Sequence, residues 1–408
     1  MSGPGAYFFG EEERKELLDV METGYLSRYG KEDDPRFKHK VVTFEKEFAK
    51  YIGTRNAVAV SAGTGALLAS LAALGIGPGD EVIVPGYTFI ASIASIIHAK
   101  AIPILAEIDE SLNIDPEDIR KKITKRTKAI MPVHMIGNPC DMDSIMEIAE
   151  EFGLYVIEDS CQALGATYKG KKVGAIGNIG AFSLNANKTI TSGDGGVVVT
   201  DDDELYERAF GFHDQGHKPN RMGVEIGHRS LIGMNLRINE LTGAVALAQL
   251  RKTDKIISIL RDNKRKLKNA ISGNKKLGFR KINDEGEIAT LLTLLFKDKE
   301  TADKFATEIG IKTLAYSGWH VYNNMEQFLD KKTATKYQCP FVCEKYGHEV
   351  KYYKHMLPRT DEILERAVNI SVGVVDETLG AGFGISVLSN EKEIEQVAGK
   401  INKALKIL

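Results

Sequence analysis

Apolar positions along the first part of the chain fall into short unbroken runs separated by stretches of helical period. The runs "NAVAVSAG" (56–63), "DEVIVPG" (80–86), "IPILAEID" (102–109), "KAIMPVH" (128–134) and "LYVIEDS" (154–160) read as buried strands, the first ending in a glycine turn. Between them, 63–74, 92–100, 115–123 and 142–153 carry helical patterns; the first is alanine-rich and apolar all round. Asp115 is a candidate N-cap, with Pro116 at the first helical position. Five strands alternating with helices predict βαβ units and a mostly parallel sheet. Two further runs, 178–184 and 195–201, read as strands flanking the polar, glycine-containing connection "NANKTITSGDG".

The texture changes at Asn239. "NELTGAVALAQLRKTDKIISILRDNKRKLKNAI" is one long helical pattern, longer than globular helices usually run, which predicts a kink or a bridge between domains. After it, 289–296 and 365–373 look like strands, 299–310 like a helix, and "NEKEIEQVAGKINKAL" like a final helix. The expected organisation is a large α/β domain over 1–250 and a smaller α+β domain over 251–408.

With 408 residues, 43% of them hydrophobic and 27% charged, the composition is that of an ordinary soluble globular protein. A formal net charge of −2 gives no electrostatic reason to expect nucleic acid or an anionic membrane as partner. No apolar run reaches the ~18–20 residues of a membrane span; "FIASIASIIHAKAIPIL" is interrupted by His98, Lys100 and Pro103. The N-terminal residues lack the basic-then-apolar pattern of a secretory signal, so the expected address is the cytoplasm. Four cysteines in this length make no disulfide scaffold, and Cys339 and Cys343 have no partners at zinc spacing, so no metal site is expected.

Three stretches carry candidate chemistry. In "SAGTGALLASL" a strand gives way to a helix whose first N–H groups can hold a phosphate, with Thr64 adding a hydroxyl; a plain tight turn is the alternative. In "VIEDSCQA" Glu158 and Asp159 end an apolar strand, where ligands of open α/β sheets bind. A carboxylate buried there needs a cation, such as a protonated pyridine nitrogen, unless it caps the next helix. In "FSLNANKTITSGDGG" a single amine, Lys188, sits among bendable polar residues, with Ser183 five positions earlier. A lysine of this kind is either a solvated surface residue or the nucleophile that captures an aldehyde cofactor.

Taken in order, "SAGTGAL", "GDEVIVPGYTFIAS", "PVHMIGNPCDMD", "IEDSCQALGATYKGKKVG", "SLNANKTITSGDGGVVVTD" and "GMNLRINELTGAVALAQL" resemble the DegT/DnrJ/EryC1/StrS sugar aminotransferases, over nearly the whole chain. The resemblance implies a fold-type-I enzyme using pyridoxal 5'-phosphate, with pyridoxamine 5'-phosphate as its amino form. It implies that Lys188 carries the cofactor aldehyde and then shuttles a proton, and that Asp159 partners the pyridine nitrogen. Gln162 would lie near the phenolic oxygen and Phe89 on the ring face. Gly63, Thr64, Gly65 and Ser183 would hold the phosphate. Asn235 would reach the phosphate of a neighbouring subunit, which makes the expected homodimer part of the active site. The chain departs from the family in three places: Asn185 and Asn187 stand where an aromatic or histidine is common, Asp194 replaces a glutamate, and Gly65 replaces an alanine. A related branch of 3-dehydratases has histidine at the lysine position; Lys188 argues against it.

The implied reaction moves an amino group from glutamate or glutamine to a keto- or aldehydo-sugar. Two segments are candidates for the sugar side. One is "FHDQGHKPNRMG", with His213, Asp214, His217, Lys218 and Arg221, unless it is a solvated loop; the other is "YSGWHVYNN", with Trp319 and His320, unless it is a domain-interface cluster. These segments and the N-terminal "GYLSRYGKEDDPRFKHK" are similar to the branch that aminates C8 of an octulosonate for lipopolysaccharide, in which Arg28, Arg36 or Lys38 would pair with a carboxylate. The alternatives are a nucleotide-linked keto-sugar or cyclitol as acceptor, a dehydratase or oxidase on the same fold, and a non-catalytic regulator.

Overall fold

A computed structural model describes residues 3–219, 227, 229–271, 273, 277–334, 336, 338–342, 350–377 and 380–408. A 3-10 helix (Pro4–Phe8) and α1 (Glu11–Met21) lead to α2 (Lys40–Ile52). The alternating part follows: β1 (Asn56–Val60), α3 (Gly63–Ala73), β2 (Glu81–Pro85), α4 (Ile90–His98), β3 (Ile102–Ala106), α5 (Pro116–Lys122), β4 (Thr127–Ile130), α6 (Met142–Phe152) and β5 (Tyr155–Asp159). A small hairpin, β6 (Thr167–Tyr168) and β7 (Lys171–Lys172), precedes β8 (Ile179–Ser183), β9 (Gly196–Thr200) and α7 (Asp203–His213). The elements from β1 to β5, with β8 and β9, match the apolar runs and helical periods, whereas α1, α2, α7 and the β6–β7 hairpin lie outside them. Asp115 does cap α5, accepting from the Glu117 N–H at 3.0 Å.

The seven large-sheet strands are ordered β1-β9-β8-β5-β4-β2-β3. All neighbours run parallel except β9, which is antiparallel to both β1 and β8. Both faces are covered, so β2, β8 and β9 are buried at every position and cannot show the alternation of a half-exposed strand. The sheet's carboxyl-end edge gathers the turn after β1, the end of β5 and the end of β8.

The long helical pattern breaks into α8 (Glu240–Leu250) and α9 (Thr253–Ile271). Helix α8 is buried all round, whereas α9 is amphipathic. Between them Arg251 reaches out to Glu16 and Glu47, Lys252 to Glu13 and the Phe8 carbonyl, and Thr253 Oγ1 donates back to the Leu250 carbonyl at 2.7 Å. Then come β10 (Gly278–Phe279), β11 (Leu291–Leu295), α10 (Lys299–Glu308), α11 (Glu326–Leu329), α12 (Pro358–Glu365), β12 (Ala367–Ser371) and α13 (Glu391–Ile407). Strands β10, β11 and β12 form an antiparallel sheet. The expected division at 250/251 coincides with the helix break, yet one apolar cluster runs across it, joining Phe44 and Phe182 to Leu260, Leu294, Ile370 and Ile401.

Candidate active site

The chain leaves β1 through Ala62, an extended N-cap with no polar side chain to satisfy the first N–H groups of α3. Those groups stay available to an anion. The approach of β8 and β9 to this helix end depends on glycine. A Cβ on Gly63 would lie 2.7 Å from Ser183 Cβ, and one on Gly196 would lie 2.4 Å from the Ala62 carbonyl oxygen. Gly63, Thr64 and Ser183 therefore form one cradle, on the wall of a cleft of about 770 Å³.

Strand β5 sends its two terminal carboxylates to opposite faces, as a period of two requires. Glu158 is fully buried and takes no part in the cleft. It accepts from the N–H groups of Gly174 (2.7 Å), Ile176 and Gly177 (both 2.6 Å), and lies 3.0 Å from His134 Nε2. Substituting Glu158→Ala strands those donors, each a desolvation cost, and should lower stability by about 3 kcal/mol or more. Urea unfolding measures this, and a loss under about 1 kcal/mol would remove Glu158 as the organiser of the 174–177 turn.

Asp159 faces the cleft and is 4% exposed. Its Oδ2 accepts from Ser92 Oγ at 2.6 Å and its Oδ1 from the Cys161 N–H at 3.1 Å. Both donors are neutral, and among the described residues no lysine, arginine or histidine pairs with it. A buried carboxylate in that condition fits a cationic ligand atom. Beside it, Gln162 Oε1 accepts from the Ile136 N–H at 3.1 Å, which leaves its amide N–H₂ for the cleft. Phe89, the N-cap of α4, is 37% exposed and presents its ring to the same space.

Lys188 arrives on the loop after β8. Its side chain is half-buried and lines the cleft, and among the described residues it has no hydrogen bond or ion pair. The loop is tied by Asn185 Nδ2 donating to Asp194 Oδ1 at 3.0 Å. It is also backed by the N-terminal segment. The Gly3 N–H donates to the Ala186 carbonyl at 2.6 Å, and a Cβ on Gly3 would lie 2.3 Å from the Asn187 carbonyl carbon.

The far wall comes from the second part of the chain. His320 is 8% exposed and its Nδ1 has no partner. Burial, helped by the Lys188 charge, pulls its pKa down to about 4, so its imidazole is neutral near pH 7. Its ring lies 5.3 Å from that of Phe89. Tyr316, Asp376 and Glu377 complete this side.

Some candidate residues lie elsewhere. Gly65 is in the first turn of α3 but is not on the cleft wall; a Cβ there would meet Leu236 at 3.6 Å. Asn235 bridges to Asp214, away from this chain's cleft. His213, expected on the substrate side, lies in the core and off the cleft wall: it is fully buried, with Nε2 2.9 Å from Arg28 Nη1 and Nδ1 2.5 Å from the Phe210 carbonyl. Burial and the Arg28 charge hold its pKa down at about 3. Arg28 is likewise spent, donating to both oxygens of Glu45 at 3.0 Å, and Asp214 pairs with Arg237. His217 lies 2.8 Å from Arg229, off the cleft wall; Lys218 pairs with Glu207 and Arg36 with Asp34, while Lys38 is exposed. Arg221, Cys343 and the side chain of Trp319 lie outside the described residues. Among the described residues no helix is long and apolar enough to cross a membrane, and no cluster of metal-ligating side chains is present.

An uncapped helix end, a buried carboxylate and an unpaired amine thus meet in one cleft, and residues 9–374 match the DegT/DnrJ/EryC1/StrS aminotransferase family. The chain belongs to that family. It is similar to a GDP-perosamine synthase of Vibrio cholerae, 42% identical over 254 residues, which is 61% of this chain and 65% of that one. The likeness therefore spans just under two thirds of that relative's length. A solved aminotransferase from Psychrobacter cryohalolentis superposes with a TM-score of 0.78 at 28% identity, covering 98% of each chain. The fold is also that of NtdA from Bacillus subtilis, solved with bound cofactor PMP: TM-score 0.74, 23% identity, 98% of this chain and 84% of that one. This is the fold-type-I architecture of pyridoxal-phosphate aminotransferases, an α/β fold with a large, mostly parallel sheet.

Proposed function

We propose that this family member is a pyridoxal-phosphate-dependent aminotransferase that moves the amino group of glutamate or glutamine onto a keto- or aldehydo-sugar. The observation that carries the reading is the unpaired amine of Lys188 in the same cleft as the cation-lacking carboxylate of Asp159.

The residues present fit the cofactor. Gly63, Thr64 and Ser183 would take its phosphate at the start of α3, Phe89 its ring face, Gln162 its phenolic oxygen and Asp159 its ring nitrogen. When bound, the cofactor supplies an electron sink that acidifies the C–H bond next to the nitrogen being transferred. Asp159, fixed by Ser92 and the Cys161 N–H, holds a proton on the ring nitrogen. Lys188 Nζ then takes the proton from carbon and returns it nearby, a step worth ~10²–10⁴-fold when well positioned. Neutral His320 offers an imidazole edge to a polar substrate without adding charge beside Lys188.

Asp376, Glu377 and Tyr316 bring oxygen atoms to the cleft wall, suited to sugar hydroxyls. The nucleotide-linked sugar named for the Vibrio relative supports a nucleotide-linked keto-sugar acceptor; the octulosonate acid, tied to lipopolysaccharide, is the competing acceptor. A homodimer in which Asn235 completes the neighbouring site, and a cytoplasmic location, belong to the same proposal.

Purified protein given glutamate, glutamine, aspartate or alanine should release the matching 2-oxo acid from one of the first two. With an acceptor present, 2-oxo acid and new sugar amine should form in equal amounts. Sugar water loss or oxygen uptake with no new sugar amine would replace the reading by a dehydratase or oxidase; no turnover with any donor would favour a regulator. Nucleotide-linked and octulosonate acceptors tested in parallel choose between the two substrates.

A further inference from the structure

A second cleft, of about 380 Å³, opens between α9 and the β10–β11 edge, away from Lys188. Its wall carries five cations against two carboxylates. Two of the cations are deep: Lys264 is 7% and Arg280 3% exposed. Glu287 is shared between them, lying 2.6 and 2.7 Å from Lys264 Nζ and 3.3 Å from Arg280 Nη2, so one negative charge answers two positive ones. The remaining guanidinium bonds of Arg280 go to the carbonyls of Met135 and Ile136, and its buried Nε has no partner. Arg261 donates to the uncharged backbone carbonyls of Gly286 and Glu287. At the rim Arg265 pairs with Asp262 at 2.5 Å, and Lys268 stands over the face of Phe279.

We propose that this cleft is an anion-binding site for a small phosphate- or carboxylate-bearing molecule. A buried cation pair with one counter-charge is costly unless a further anion completes it. The volume is that of a small-ligand pocket, and Phe279 gives an apolar face to the body of the ligand. The site also abuts the first one: the Ile136 carbonyl held by Arg280 belongs to the residue whose N–H holds Gln162.

The test uses cofactor-loaded protein, so that the cradle at α3 is filled. Titration calorimetry with inorganic phosphate and, separately, citrate should show one site per chain. Phosphate alone, citrate alone or both binding supports the site and names the favoured group. The double variant Arg265→Glu with Lys268→Glu, which leaves Lys264, Glu287 and Arg280 in place, should weaken binding by roughly tenfold or more. No binding of either anion, or equal binding by the variant, overturns the proposal. Should the variant not fold, crystals of the wild-type holoenzyme soaked in selenate decide: an anomalous peak in the cleft between Lys264, Lys268 and Arg280 supports the site, and its absence there overturns it.

Discussion

Lys188→Ala should lower turnover by ~10⁴-fold or more, because it removes both the attachment point of the cofactor and the group that moves the proton. The same substitution should leave stability within about 1 kcal/mol of the parent, since the half-buried side chain has no hydrogen bond or ion pair to lose. The two readouts together separate chemistry from folding. Single-turnover measurements with glutamate or glutamine give the first, and urea unfolding the second. Borohydride reduction of the cofactor-loaded parent should add the pyridoxyl mass to the peptide containing Lys188 and to no other. Retention of more than about a tenth of the parent rate would remove Lys188 from the reaction.

Asp159→Asn should cost ~10²–10⁴-fold in kcat, the range that corresponds to stranding a buried cation by roughly 3–5 kcal/mol. Asparagine keeps the shape, its Oδ1 accepting from the Cys161 N–H and its Nδ2 donating to Ser92 Oγ where Oδ2 had accepted, so what is lost is charge. The variant should bind the cofactor more weakly, and its absorbance should report a ring nitrogen that gives up its proton at lower pH than in the parent. A rate within about tenfold of the parent, with an unchanged spectrum, would show that the ring is held protonated by something else.

How far the sequence carried can be judged from particular residues. The strands of the large sheet were legible because both faces are covered, which leaves unbroken apolar runs with nothing else to be. Asp115 was legible as a cap because a short acceptor beside Pro116 has one cheap use. The polar setting of Lys188 was a local signal. The two carboxylates of β5 were seen as a pair, but only the period of the strand tells them apart: Glu158 serves three backbone donors and Asp159 the cleft. The burial of His213 was not legible because its partner, Arg28, lies 185 positions away, and no local pattern announces such a meeting. Gly3, Pro4, Asp376 and Glu377 went unnoticed for the same reason. Each is ordinary in its own neighbourhood and reaches the cleft only through the tertiary fold. The long pattern from Asn239 read as one helix because both halves keep a helical period; the break appears where Arg251 and Lys252 turn outward to acidic partners.

The contact between Gly3 and the loop at Ala186–Asn187 sets an order of events at the ribosome. The opening residues emerge long before the loop they must clasp has been translated, and they wait without a docking place while βαβ units assemble one after another. The wall behind Lys188 is thus complete only once two stretches more than 180 positions apart have met.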